Sequence, residues 1–448
     1  MHLPGHNPRA MQAPPRRTAT AELATIFVVA LLLRLGAVLA LPVSPAWDGT
    51  IYERAAADIA AGRGYTLHAI SPAAPARPTA FYPVGWPAAL AATRALGGNR
   101  ATDLLLQALL GALLAPLTVL LARRLAGSRA GRAAGWACAL WPGGVLWSVS
   151  WLGEPLFAVL VSVGLVLVTR ARRRHRVAAL LGAALVLGAA AWVRPTAILV
   201  APLLGLGLGW AWAPRRHTQA RRATVGLAAA AVATLVSLAA LAPWTTRNAL
   251  EIGAPVLVST NGGANLLLGT VGDGRFEHIP RAIDCPEGTP ERERDRCRRS
   301  HAIARIGAAP VVWLARGALK LVHTFGYETS PAAQLDAALA GRARRARPVI
   351  VPLAYALVAG FYAALLLAAA WSAREVLRRP LARAALLAPI GAVALLHFVY
   401  LGGDRYHAPL VPLLCVLAAP TLTRLAARLR DEAATRTQRA GRRSARRP

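Results

Sequence analysis

Six of the chain's 20 carboxylates stand at the edges of long apolar runs: Asp48, Glu53, Asp58, Asp103, Glu154 and Asp404. Asp48 lies in PAWDGTIYERAAADIA, Glu154 in WSVSWLGEPLF and Asp404 in YLGGDRYHAPL. A carboxylate beside Trp and Tyr at an apolar boundary is partly desolvated. Desolvation raises its pKa and makes it a better base. Asp48 and Glu53 equally suit the N-terminus of a 50–61 helix, where the helix dipole favours acids. The complementary cations are Arg194 in AWVRPTA, Arg247 in APWTTRNALEIGAP and Arg405 in GGDRYH. Arginine's planar fork gives bidentate contacts to anions, phosphate above all. Arg34 sits inside the first apolar run and reads as an intramembrane ion pair. The segment RPTAFYPVGWPAAL at 77–90 offers a proline-stiffened aromatic wall, and its Tyr and Trp suit anchoring at headgroup level.

The elements that must position these residues are membrane spans. The chain has 448 residues, 56% hydrophobic and 16% charged, with a mean hydropathy of +0.43. Soluble domains carry roughly 25% charged residues, so a single soluble enzyme is excluded, and so is a disordered chain. Ten runs approach the ~20 apolar residues a spanning helix needs: 24–42, 101–121, 133–150, 155–169, 177–193, 196–213, 224–243, 349–371, 385–401 and 408–426. The fifth and sixth, split by Arg194-Pro195, read as a tight helical hairpin. The first run is too long for a cleavable signal and lacks a small-residue cleavage pattern. The fold class expected is an all-α polytopic membrane protein of about ten helices.

The net charge of +32 follows from 52 basic residues, of which Lys320 is the single lysine. With the N-terminus inside, the segments 1–23, 122–132, 170–176, 214–223, 372–384 and 424–448 hold 29 arginines and only Glu22, Glu375, Asp431 and Glu432 as acids. This is the positive-inside pattern, so the charge reports topology rather than nucleic-acid binding. The three expected segments are a cytoplasmic tail at 1–23, a membrane domain at 24–426 and a basic cytoplasmic tail at 427–448. That second tail reads as solvated, within reach of anionic headgroups. Residues 308–325 carry Arg316 and Lys320 mid-run, so they read as an interfacial amphipathic helix. This places RARRAR at 342–347 outside, in a loop too long for the charge rule to bind.

Two long loops, 43–100 and 244–348, then lie on the outer face, and loops of this length usually carry function. The second holds ten acids, three of them in the ERERDR stretch, which reads as solvated surface, and the cysteines Cys285 and Cys297. An outer-face pair suits a disulfide, and no second pair accompanies it to make a zinc site. Cys138 and Cys415 fall inside spans and read as packing residues.

In this order the motifs resemble polyprenyl-phosphate-sugar-dependent glycosyltransferases of the GT-C superfold, closest to bacterial family 39. That family includes protein mannosyltransferases and the lipid A aminoarabinose transferase. The resemblance rests on Asp48 and Tyr52 with AGRGY at 61–65, then Thr79, Tyr82, Pro83, Gly85 and Pro87. It continues through Glu154 in GEPLF, Pro243, Trp244, Arg247 and Asn248 with STNGGANLLLG at 259–269, and Arg405, Tyr406, Pro409 and Pro412. It covers about residues 24–426. Many relatives have Asp-Glu at the first position, whereas this chain has Asp48-Gly49, so any role of that paired Glu is absent or moved to Glu53. A large C-terminal soluble domain found in some relatives is not expected here.

The resemblance implies sugar transfer from a polyprenyl-phosphate donor to an acceptor hydroxyl at the outer face of a bacterial plasma membrane. Both termini would be cytoplasmic. Asp48 is then the general base of an inverting displacement, and Glu154 the second carboxylate, orienting hydroxyls or helping hold a divalent ion. Arg247 would hold the leaving phosphate, with Arg405 or Arg194 as alternatives. Tyr52, Tyr82, Asn261, Asn265 and Tyr406 would contact substrate, although the two asparagines also suit simple turn chemistry. No cofactor or metal is expected for the chemical step. The partners expected are the lipid-linked donor, a glycan, lipid or protein acceptor, and membrane lipids, with no nucleic acid. Two other readings stay open. A transporter or lipid flippase would place polar groups mid-span. A non-enzymatic envelope scaffold would need no convergent Asp/Arg site.

Overall fold

The computed structural model describes residues 16–73, 76–214, 216–276, 278–339 and 345–444. Residues 1–15 of the expected N-terminal tail, half of the RARRAR segment and the last four residues of the basic tail lie outside the described residues. Helix α1 (Arg16–Ala40) leads to a loop region holding α2 (Asp48–Ala60) and α3 (Gly85–Ala95). Then come α4 (Arg100–Leu125), α5 (Ser128–Leu140), α6 (Pro142–Leu146), α7 (Glu154–Arg170), α8 (Arg176–Val193), α9 (Ala197–Trp212) and α10 (Gln219–Ala239). A second loop region holds α11 (Ala242–Glu251), α12 (Gly262–Leu268), α13 (Glu291–Ala308), α14 (Pro310–Phe325) and α15 (Ser330–Ala338). Helices α16 (Arg347–Leu377), α17 (Pro380–Val399) and α18 (Val411–Ser444) follow. The described residues contain no strand, only an isolated bridge between Thr66 and Pro78.

Among the described residues, seven helices are long and apolar enough to cross a membrane: α1, α4, α8 with its leading turn, α10, α16, α17 and α18. Their outer surfaces are apolar, as at Leu39, Leu367 and Trp371, each at least 74% exposed. Lipid is the solvent such surfaces require, so this is a multi-pass membrane protein. The other three apolar runs differ from the sequence expectation. The run 133–150 breaks at Trp141-Pro142, because proline cannot continue α5, and resumes as α6 and a 3-10 turn. The runs 155–169 and 196–213 form the 17-residue α7 and the 16-residue α9. At 1.5 Å per residue neither exceeds ~26 Å, short of the ~30 Å hydrocarbon core. Both are packed inside the bundle, with Leu165 and Leu208 fully buried. α9 lies against α10 closely enough that a Cβ on Gly205 would stand 2.6 Å from the Ala229 carbonyl, the small-residue approach of membrane helices.

The 308–325 segment is the helix α14, set at 109° to α13 across Ala309-Pro310. It leaves Val311, Val312, Leu314 and Val322 exposed. Lys320 points inward and donates to the Val399 carbonyl at 2.9 Å. Arg34 corrects the ion-pair reading. Its guanidinium is buried and donates to the carbonyls of Ala30 (2.9 Å) and Ala139 (3.3 Å), with no carboxylate partner among the described residues. The basic tail also departs from a solvated coil, because α18 continues as helix through Ser444.

Candidate functional site

Helix α2 begins at Asp48 itself, because the preceding Trp47 has φ 50°, a left-handed conformation that no helix continues. Asp48, Ile51 and Tyr52, at i, i+3 and i+4, share one helix face and line a cavity of about 1640 Å³. Glu154 enters the same cavity as the first residue of α7. Arg194 enters from the turn between α8 and α9, and Arg405 from the 3-10 turn Asp404–Leu410 that precedes α18.

These four side chains form one chain of charges. Arg405 Nη1 donates to Asp48 Oδ2 at 2.6 Å, and its Nε donates to Glu154 Oε1. Arg194 Nη2 donates to that same Glu154 oxygen. Glu154 is 2% exposed, and its second oxygen is buried without a partner among the described residues. Asp48 is different: its side chain keeps 27% exposure toward the cavity. A buried carboxylate shared by two arginines fixes their heads, while the exposed one can meet a ligand.

The aromatic residues frame this centre. The Tyr82 hydroxyl donates to Asp48 Oδ1 at 3.4 Å, and the Tyr52 and Tyr82 rings meet edge to face at 5.9 Å. Burial first, then the negative charge of Asp48, pushes both phenols above their ordinary values, so both remain hydroxyl donors. Tyr406 stacks on His397 at 4.0 Å and lies beneath the Arg194 guanidinium at 5.4 Å. Asn261 and Asn265 also line the cavity, and Asn261 Oδ1 accepts from the Ser259 hydroxyl at 2.8 Å.

Two features explain the local backbone. Trp151 has φ 55°, a conformation costing about 1–3 kcal/mol in a bulky residue. It is held by Gln107, which accepts from the Trp151 amide at 2.8 Å and donates to the Leu152 carbonyl at 2.7 Å. Trp86 Nε1 donates to the Trp151 carbonyl at 2.8 Å. The second is Gly49. A Cβ there would stand 2.7 Å from the Ser150 carbonyl. The absence of a paired Glu after Asp48 therefore has a steric cause: α2 rests directly on the Ser150–Trp151 backbone.

Other candidates have structural partners of their own. Arg247 is not in the cavity lining. It donates to the carbonyls of Thr79 (2.8 Å) and Tyr65 (3.1 Å) and stacks over Trp244 at 4.9 Å. Asn248 and Trp244 donate to the Val256 and Val258 carbonyls, so the PWTTRN motif clamps the 254–260 segment that forms a cavity wall. Asp404 caps α15, accepting from the amides and hydroxyls of Thr329 and Ser330. Glu53 and Asp103 pair with Arg94, and Asp58 pairs with Arg63. Glu291 accepts from the Thr79 hydroxyl (2.6 Å), the Ala80 amide (3.0 Å) and the Thr260 hydroxyl, and so ties α13 to both loops. Cys285 and Cys297 are joined by a disulfide, with Cα atoms 6.2 Å apart. His301 lies beside them, the one grouping among the described residues with metal-ligand spacing. Its two sulfurs are bonded to each other, so they are not thiolates.

The ERERDR stretch is solvated at Glu293 and Arg296, as expected, and it also supplies a cavity wall. Arg292, Arg296 and Arg299, at i, i+4 and i+7 along α13, line the cavity. That spacing is visible in the sequence, but which way the face turns is not.

No family model matches the chain, and no curated protein matches it. Among solved structures, the Archaeoglobus fulgidus oligosaccharyltransferase in complex with Zn and sulfate is similar, with a TM-score of 0.51 and 14% identity. The match covers 93% of this chain and 51% of that one. The same organism's oligosaccharyltransferase AglB with an inhibitory peptide and dolichol-phosphate gives 0.48 and 13%, over 90% and 50%. ArnT from Cupriavidus metallidurans bound to undecaprenyl phosphate gives 0.40 and 16%, over 91% and 78%. The chain spans about half the length of the oligosaccharyltransferase it matches. What the likeness to the first of these establishes is the fold alone: an all-α polytopic membrane protein with the helical architecture of that oligosaccharyltransferase.

Proposed function

We propose that the protein transfers a sugar from a polyprenyl-phosphate donor to an acceptor hydroxyl at the outer face of a bacterial plasma membrane. The observation that carries this reading is the charge chain Asp48–Arg405–Glu154–Arg194 at the wall of a large cavity. It sets a half-open carboxylate beside two arginines that a buried carboxylate holds in place.

In the reaction, Asp48 takes the proton of the acceptor hydroxyl while that oxygen attacks the anomeric carbon. The bond from that carbon to the phosphate oxygen breaks, and polyprenyl phosphate leaves with the electron pair. A single displacement inverts the anomeric centre. The phosphate gains a negative charge as it leaves, and Arg405 and Arg194 stand where that charge is stabilised. Arg405 lies on Asp48 before donor enters. A donor phosphate competes for that guanidinium and frees the carboxylate to act as base. Tyr52, Tyr82, Asn261, Asn265 and Tyr406 present hydroxyls, amides and ring faces to the sugar.

The test is transfer in native membranes from a panel of polyprenyl-phosphate sugars, comparing wild type with Asp48→Asn, which keeps size and removes the base. Transfer by wild type, with a loss of about 10²-fold or more in an inserted variant, is expected. Equal transfer by both proteins overturns Asp48 as base. Transbilayer movement of the lipid without sugar transfer favours the flippase alternative.

A further inference from the structure

The reaction above draws on α2, the helix ends around Glu154, Arg194 and Arg405, and the 261–265 segment. The α13 wall is unused, and its chemistry is distinct. Arg292, Arg296 and Arg299 face the cavity from one helix face. The only acid on that face is Asp295, and it is already engaged. Its Oδ1 accepts from the Gly263 amide at 2.5 Å, and its Oδ2 accepts from Arg299 at 2.7 Å. Arg292 donates one bond to the Gly253 carbonyl at 3.0 Å. Arg296 has no partner among the described residues. Arg54 on α2 also lines the cavity, and its Nε is buried without a partner among them.

Like charges held together on a wall repel one another, and a bound anion removes that cost. Arginine forks in a row suit tetrahedral oxyanions. The wall lies on a polar helix rather than a membrane-crossing one, so it faces a molecule arriving from water. The donor phosphate is assigned to Arg405 and Arg194, which come from other elements of the same cavity, the turn before α18 and the turn between α8 and α9. We propose that the α13 wall is a second anion site that binds a phosphate-class group on the acceptor, making the preferred acceptor an anionic molecule. The identity of that molecule as acceptor rests on the glycosyl-transfer reading.

The test uses full-length protein in phosphatidylcholine nanodiscs, with and without undecaprenyl phosphate, titrated calorimetrically with inorganic phosphate. Wild type should bind phosphate saturably in both preparations. The triple variant Arg292→Gln/Arg296→Gln/Arg299→Gln should lose at least tenfold in phosphate affinity and keep undecaprenyl-phosphate affinity within twofold. Arg296→Gln alone, which breaks no internal bond, should lose about threefold and guards against misfolding of the triple variant. Phosphate binding equal to wild type in the variants overturns the proposal, as does no binding by wild type. A parallel loss of undecaprenyl-phosphate affinity assigns the wall to the donor and also overturns it. If wild type fails to bind undecaprenyl phosphate, the donor reading falls, while the lipid-free arm still decides the wall.

Discussion

Arg405 Nη1 lies 2.6 Å from Asp48 Oδ2 across 357 positions of sequence. The contact joins the start of α2 to the turn before α18, so the site exists only when the two ends of the membrane bundle are assembled. It also makes a prediction. Arg405→Ala removes the bridge and leaves the buried Glu154 with Arg194 alone. Transfer should fall about 10²-fold, and stability by about 3 kcal/mol, the cost of breaking a buried pair. Arg247→Ala should lower the melting temperature with a much smaller loss of transfer, since it holds carbonyls rather than substrate. The two are compared by thermal unfolding and by transfer rates at saturating donor.

Gly49→Ala places a methyl 2.7 Å from the Ser150 carbonyl. Backbone cannot yield cheaply there, and overpacking costs about 1–3 kcal/mol. The expected result is a lower melting temperature together with reduced transfer, because α2 carries Asp48. An unchanged melting temperature would mean that α2 does not rest on the Ser150–Trp151 backbone.

Glu291→Gln keeps shape but weakens three hydrogen bonds that now end on a charge. Each charge-assisted bond is worth about 1.5–3 kcal/mol, shared here between two loops. Hydrogen exchange at Ala80 and across 254–261 should speed up at least tenfold, with KM rising more than kcat falls. Protection equal to wild type would show that Glu291 is not the tie.

Asp284 beside the disulfide accepts from Arg298 at 2.7 and 2.8 Å, and these bonds hold its carboxyl below the ordinary range. A lowered carboxyl pKa stabilises the folded loop above the unfolded Asp value, ~3.9, and that contribution disappears as pH falls through the folded value. Exchange protection of residues 281–301 should therefore hold at neutral pH and decline below about pH 4. Arg298→Gln should remove that pH dependence. A variant that keeps the same acid decline locates its cause elsewhere.

Hydropathy carried the seven long spans, because burying about 20 apolar residues leaves little choice of structure. It could not see the break at Trp141-Pro142, since a proline inside an apolar run kinks, ends or merely bends a helix according to its neighbours. Asp48, Glu154, Arg194, Arg405 and Tyr406 were legible together because each stands at a helix end on the same side of the bundle. Arg247 shares that position but not that role. Whether a boundary arginine meets a ligand or a carbonyl depends on which loop folds over it. The row Arg292, Arg296 and Arg299 was in plain sight as a spacing. Its partner surface, the cavity, is made by residues more than a hundred positions away, such as Asp48 and Arg54.

The tie from Glu291 to Thr79 spans 212 residues. Chains grow at about 5–20 residues per second during synthesis, so the first loop waits roughly 10–40 s after its own emergence for its fastener. Six apolar runs, from 101–121 to 224–243, are made in that interval. The cavity is thus among the last parts of the molecule to close, and until then the Tyr82–Asp48 side of the site faces its surroundings without a lid.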